Sequence, residues 1–239
     1  MGEKKTREMV KVKWNSVSLP SDAVEVDDLP WPSQAIEQPI VLYFYSIAKY
    51  SKKSSSSKKP PKLYSTKSAK ECESLANNVF NGKDKKVGIL SRFYKCYEVD
   101  LSKMDPKSNK LFNETNAPFV LVFDIKGKLA ANLKGSFKAS SFYSALKKGL
   151  RDTAINPSKI VPKAESILVK IKDLENLRSK YQKRQDDSKK KLAKAKKKSD
   201  SEKYAKEIKD SSDKLVKIKD SITKGESLFY EMLTMPKED

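Results

Sequence analysis

The sequence predicts an α/β domain followed by an all-α antiparallel coiled-coil hairpin, and three observations carry that expectation. Residues 40–45, IVLYFY, are continuously apolar and rich in β-branched and aromatic side chains, as in a strand covered on both faces. Residues 119–133 read as two strands joined at Lys126-Gly127, an antiparallel pair. From Ala164 to Leu233 there is no proline, Gly225 is the single glycine, and sparse apolar residues recur at spacings of three and four among many charges.

In chain order, residues 1–35 read as an N-terminal arm. Val10, Val12 and Trp14 alternate as in an extended segment, and proline turns follow at Leu19-Pro20 and Leu29-Pro30-Trp31-Pro32, with Trp14 and Trp31 as anchors. Residues 36–155 form the α/β domain. After the strand at 40–45, residues 49–62 read as a loop containing Ser54 to Ser57 and Pro60-Pro61. A solvated loop, a phosphorylation segment and a contact loop all fit that composition. Residues 66–80 then read as a helix with Ala69, Cys72, Ala76 and Val79 in one stripe, stopped by Asn81-Gly82. Residues 92–101 are the next strand and 104–114 a turn with a short helix. Phe119–Ile125 and 128–133 follow, and a helix over 140–150 places Phe142, Leu146 and Leu150 on one side, with lysines in its last turn.

This order, a βαβ half followed by a ββα half, resembles the thioredoxin fold over residues 36–151. The most specific stretch is Ala117-Pro118-Phe119-Val120, and the resemblance implies a structural cis-proline at Pro118. The YEVD of 97–100 is similar to the end of the family's second strand, and ECESLANNVF to the helix that follows its redox loop. The family's redox chemistry needs a thiolate of lowered pKa at a helix N-terminus with a resolving thiol three residues on. Alignment on the strand ending Phe44-Tyr45 puts Lys49 and Lys52 at those two positions, and an amine cannot exchange disulfides.

The chain has two cysteines, Cys72 and Cys96, and no histidine. That excludes a disulfide scaffold, a cysteine zinc site and the Ser-His-Asp and Cys-His arrangements. Both cysteines fall among core positions and read as small buried hydrophobes. No catalytic, cofactor or metal residues are assigned, and the chain is read as non-enzymatic. A divergent oxidoreductase using Cys72 or Cys96 alone is the rival that a thiol-reactivity assay decides.

Residues 156–239 read as a lysine-rich helical hairpin. The first seam is Ile167, Ile171, Leu174, Tyr181, Leu192 and Ala195, with gaps at Arg178, Gln185 and Ser188. The second is Tyr204, Ile208, Ser211, Leu215, Ile218, Ile222, Phe229 and Met232. The segment 196–203, KKKSDSEK, interrupts them, and Ser201 is a candidate helix cap. Folding back near residue 200 sets Leu192 level with Ile208 and brings the serine-bearing middles at Ser188 and Ser211 together.

The formal net charge is +20, from 51 Lys+Arg against 31 Asp+Glu. It favours anionic partners through long-range attraction. Only Arg7, Arg92, Arg151, Arg178 and Arg184 are arginines, and lysine lacks the planar fork that reads base edges. The basic extreme is the hairpin tip, where Lys189, Lys190, Lys191, Lys194, Lys196, Lys197 and Lys198 are the candidate contacts for an anionic partner. The expected role is an interaction or scaffold protein, with a protein partner or self-association through the coiled coil. A basic nucleic-acid-associated protein that binds nonspecifically is the alternative. No run of 18 apolar residues exists, so no membrane-spanning helix is expected. The charged N-terminus lacks a signal peptide's apolar region, which favours a cytoplasmic protein, with a mature secreted or periplasmic form as the alternative.

Overall fold

The computed structural model describes residues 2–19, 38–51, 63–102, 104, 110–113 and 115–234. The readings of Trp31 and its proline turns, of Lys52 and of the Ser54–Ser57 loop lie outside these residues. The chain is mixed α/β and divides into two compact units, one built on Val10–Val161 and one on Met1–Met9 with Pro162–Leu233.

In the first unit, β1 (Asn15–Ser16), β2 (Ile40–Tyr45), β5 (Lys95–Asp100), β6 (Phe119–Phe123) and β7 (Leu129–Lys134) form one mixed sheet in the order β1-β5-β2-β6-β7. A separate two-stranded ribbon pairs β3 (Lys49–Ser51) with β4 (Leu63–Ser65). β2 is parallel to β5 and antiparallel to β6, so both of its edges are hydrogen-bonded. Its alternate side chains leave on opposite faces, and Ile40 through Phe44 are all buried. On one face Ile40, Leu42 and Phe44 join Val99, Leu101, Phe119, Leu121 and Phe123, with Phe112 and Cys72 completing the cluster. The Phe44 ring stacks on Phe119 with centroids 4.3 Å apart. Tyr43, from the alternate β2 positions, meets Trp14 and Phe80 at 5.3 and 4.9 Å between centroids, so Trp14 is an aromatic anchor.

Helix α2 (Lys67–Leu75) starts at Thr66, whose hydroxyl accepts the Ala69 N–H at 3.1 Å. It runs into a π-helical turn, Ala76–Phe80, instead of continuing as α-helix. The wider turn shifts the phase of the buried stripe. Leu75, Val79 and Phe80 are buried and Ala76, expected in the stripe, is exposed. Helix α3 (Lys85–Ser91) is one the sequence reading passed over. Asp84 caps it by accepting from Lys86 and Val87 N–H groups, and its Gly88 lies against the Val10 carbonyl. Helix α4 (Ala139–Gly149) packs on β6, β7 and α3, with Phe142 and Leu146 fully buried. The helix expected within 104–114 is not formed by its described residues, which are bends. The turn between β6 and β7 is held by Asp124, whose carboxylate accepts from Lys126 and Lys128 N–H groups, while Gly127 takes a φ of +74°.

In the second unit, α5 (Pro157–Lys194) and α6 (Lys198–Met232) pack together as two long helices. At ~1.5 Å per residue each spans roughly 50 Å. Asn156 caps α5, its side chain accepting from Ser158 and Lys159 N–H groups, with Pro157 at the first helical position. The second seam has the predicted positions, with Ser211, Ile218, Ile222 and Phe229 buried. The first keeps Ile171 buried as expected but is widened over its early turns: Leu168 and Glu175 are buried, while Ile167 and Leu174 are half-buried.

A further helix accounts for the burial of Glu175. Residues 2–9, read from sequence as part of an extended arm, form α1 (Gly2–Met9), which belongs to this unit. A Cβ on Gly2 would come within 2.5 Å of the Lys172 carbonyl oxygen, so the α1 backbone lies directly on α5. Lys5 bridges Glu175 at 3.0 Å and Glu226 at 2.6 Å, and Arg178 approaches Glu175 at 3.4 Å. The Glu175 side chain is only 6% exposed. Burial works against the Lys5 charge, but hydrogen bonds to Glu226 and Glu175 outweigh it and raise the pKa. A raised lysine pKa means that this contribution is fully present below the unfolded value and disappears only as pH rises through the folded one. The latch therefore holds across neutral pH.

Two stability outcomes follow from these contacts. Gly88→Ala places a Cβ 1.6 Å from the Val10 oxygen, and should lower the denaturation midpoint of the sheet unit by the equivalent of about 2 kcal/mol or more. Lys5→Met leaves Glu175 short of its shorter ion pair and should cost about 1–2 kcal/mol, read as faster amide hydrogen exchange in α5 and α6.

Candidate functional site

The hairpin tip is set by where the helices stop. α5 ends at Lys194 and α6 begins at Lys198, so the interruption is Ala195–Lys197 and not the longer 196–203 segment. Ser201 is inside the first turn of α6 and donates to the Lys197 carbonyl at 3.3 Å, so it is not the cap. The N-cap residue is Lys197, with no side-chain capping bond. This earlier fold-back shifts the helix pairing by about one turn. Leu192 was expected level with Ile208, but its neighbour Lys191 lies over the Tyr204 ring, and Lys214 over Tyr181. The polar middles still meet. Ser188 donates to Glu207 at 2.8 Å and Gln185 to Ser212 at 2.5 Å, with Ser188 and Ser211 both buried.

Lys189, Lys190, Lys191, Lys194, Lys196, Lys197 and Lys198 are all exposed. Among the described residues none of them forms an ion pair. Lys191 and Lys194 occupy the last turn of α5, where the helix dipole favours a cation. Lys196, Lys197 and Lys198 lie at the start of α6, where the same dipole disfavours one. Between the helix ends is an open concavity of about 360 Å³ lined by Lys191, Lys194, Lys196, Lys197, Asp200 and Tyr204. The Nζ atoms of Lys191 and Lys203 lie 5.9 and 6.0 Å from the Tyr204 ring centroid. The sequence reading had Tyr204 only as a seam residue. Its place six residues after a lysine run was the available signal, but that Lys191 of the other helix reaches it depends on the pairing of the helices.

The sheet edge that the resemblance assigns to thiol chemistry differs from what the alignment predicts. Lys49 lies in β3 opposite Ser65, and is not at a helix start. The residues at the α2 N-terminus are Thr66, Lys67, Ser68 and Ala69, none of which is a thiol. Cys72 is buried and its sulfur accepts the Ser46 N–H at 3.4 Å. Burial pushes its pKa up despite that bond. Burial pushes Cys96 up to about 12. Both sulfurs are therefore thiols at neutral pH. The Ala117–Pro118 peptide is cis, and the buried Pro118 accepts the Gly135 N–H on its carbonyl at 2.8 Å.

Among the described residues there is no group of three or more side chains able to hold a metal ion, and no helix is long and apolar enough to cross a membrane. No family model, curated protein or solved structure matches the chain.

The burial of both sulfurs sets an outcome for labelling. In the folded protein at pH 7, Cys72 and Cys96 should react with a thiol reagent at least about a hundredfold more slowly than in the denatured chain, measured by mass spectrometry of modified peptides.

Proposed function

We propose that the protein is a non-catalytic binding protein: a thioredoxin-like sheet domain without the thiol pair, carrying a helical hairpin whose tip docks a polyanionic partner. The observation that carries this reading is the set of exposed tip lysines, none neutralised by an ion pair among the described residues. Unpaired like charges at one place raise the local potential, steer anions and release counterions on contact. The protein also keeps Lys196, Lys197 and Lys198 where the helix dipole opposes them, a local rule broken at the place where function would need it.

The sheet supports the non-catalytic half of the reading. Parallel β2 and β5 with α2 between them, then antiparallel β6 and β7 followed by α4, fit the two halves of the thioredoxin-like pattern. The buried, high-pKa sulfurs count against an oxidoreductase. The large exposed apolar side chains of the hairpin, among them Val169, Leu177, Val216 and Leu228, lie along its arms and leave the tip without an anchor for lipid.

Replacing Lys196, Lys197 and Lys198 with Glu separates binding from folding. Acidic residues at the start of α6 should leave the melting temperature unchanged or raise it, since they suit the dipole. Affinity for heparin should fall by about tenfold or more, and the dependence of log K on log salt between roughly 50 and 200 mM should flatten. Fluorescence anisotropy at several salt concentrations reads both. Undiminished affinity in that variant would overturn the proposal.

A further inference from the structure

We infer that the polyanion at the tip is a single-stranded nucleic acid, with Tyr204 as the platform for one base and Lys191, Lys194, Lys196 and Lys197 as the contacts for the flanking phosphates. This rests on the reading of the tip as a polyanion site and names its partner. A carboxylate-rich peptide or a sulfated polymer needs only the ammonium groups. The tip has something more: a half-buried aromatic ring lining the lysine-rich concavity, which Asp200 also lines. Positive charge that follows a backbone, combined with a ring for a base, is the arrangement that binds single strands without regard to sequence.

The ring is at present attended by cations, with the Lys191 and Lys203 Nζ atoms 5.9 and 6.0 Å from its centroid. An ammonium near 6 Å from a half-buried, solvent-accessible ring gains less than a base stacked on it. An arriving base therefore displaces the ammonium, and the freed lysine turns to a phosphate. The same lysine serves the ring when the site is empty and the backbone when it is filled. Asp200 repels phosphate and can accept a hydrogen bond from a base N–H, such as the ring N3–H of uracil, so it favours a base over a further phosphate beside Tyr204. A duplex, with its bases stacked inside, cannot use the ring. The concavity contains no arginine, so no fork is present to read a base edge in a bidentate way. The recognition is of strandedness, not of sequence.

The test compares a fluorescein-labelled uridine oligonucleotide with an abasic oligonucleotide carrying the same number of phosphates, on the full chain. The wild type should bind the oligonucleotide with bases about tenfold more tightly. Tyr204→Ala should remove that preference and leave the abasic affinity unchanged, while Tyr204→Phe should keep it. Tyr181→Ala, which removes a ring bearing Lys214 at 5.1 Å outside the concavity, should behave as wild type. Equal wild-type affinity for the two oligonucleotides, or a preference that survives in Tyr204→Ala, overturns this inference and leaves the polyanion site standing. Absence of salt-sensitive binding to either oligonucleotide and to heparin ends both. If Tyr204→Ala loses its helical circular dichroism, the abasic comparison on the wild type and the Phe variant still decide.

Discussion

β2 has no face to give to water. Its residues from Ile40 to Phe44 are buried, and both edges are spent on β5 and β6. A strand in that position must be central and must be covered above and below. Most of the sheet unit answers that requirement. One side is filled by the stacked Phe44, Phe112 and Phe119 rings. Tyr43 is met by Trp14 and Phe80. The Phe80 ring in turn meets Phe142 from α4 at 5.4 Å between centroids. Fully burying each large apolar side chain is worth about 1.5–3 kcal/mol, so these contacts outweigh the weak preferences of the short elements around them. The π-helical turn after α2 fits this account, since it brings Val79 and Phe80, neighbours in sequence, into the interior together.

The hairpin is governed by the opposite condition, a shortage of apolar surface. Its middle is closed by Gln185, Ser188, Ser211, Ser212 and Glu207, not by a run of leucines. Such a layer adds little net stability, but it fixes the pairing of the helices, because any slip would bury these groups unsatisfied. Stability is concentrated at the other end, where Ile171, Ile218, Ile222 and Phe229 are buried and α1 adds its backbone and the Lys5 ion pairs. The tip is free of that duty, so it can carry like charges that a tighter bundle would not tolerate.

The two units divide the chemistry in the same way. The sheet unit withdraws its nucleophiles: both sulfurs are buried, protonated and placed where only unfolding exposes them. The hairpin puts forward lysines that form no ion pair among the described residues. In the reading proposed here the protein holds a partner and transforms nothing, and what it can hold follows from lysines that stay solvated until an anion replaces their counterions.

The sequence by itself determined the central strand, the β6–β7 pair, α4, the long helices and the basic tip. Each is written in a pattern longer than one element: an unbroken apolar run, an alternation around a glycine turn, or a repeat sustained over many turns. It did not determine α1 or α3. α1 has little apolar content and is held by its fit to α5, and α3 is short and carries Gly88, whose place is set by contact with Val10. Nor did it set the helix pairing, because a shift of one turn leaves an apolar stripe on the same face. That Lys191 meets Tyr204 therefore awaited the tertiary structure, since that contact belongs to the spacing between two helices and to neither alone.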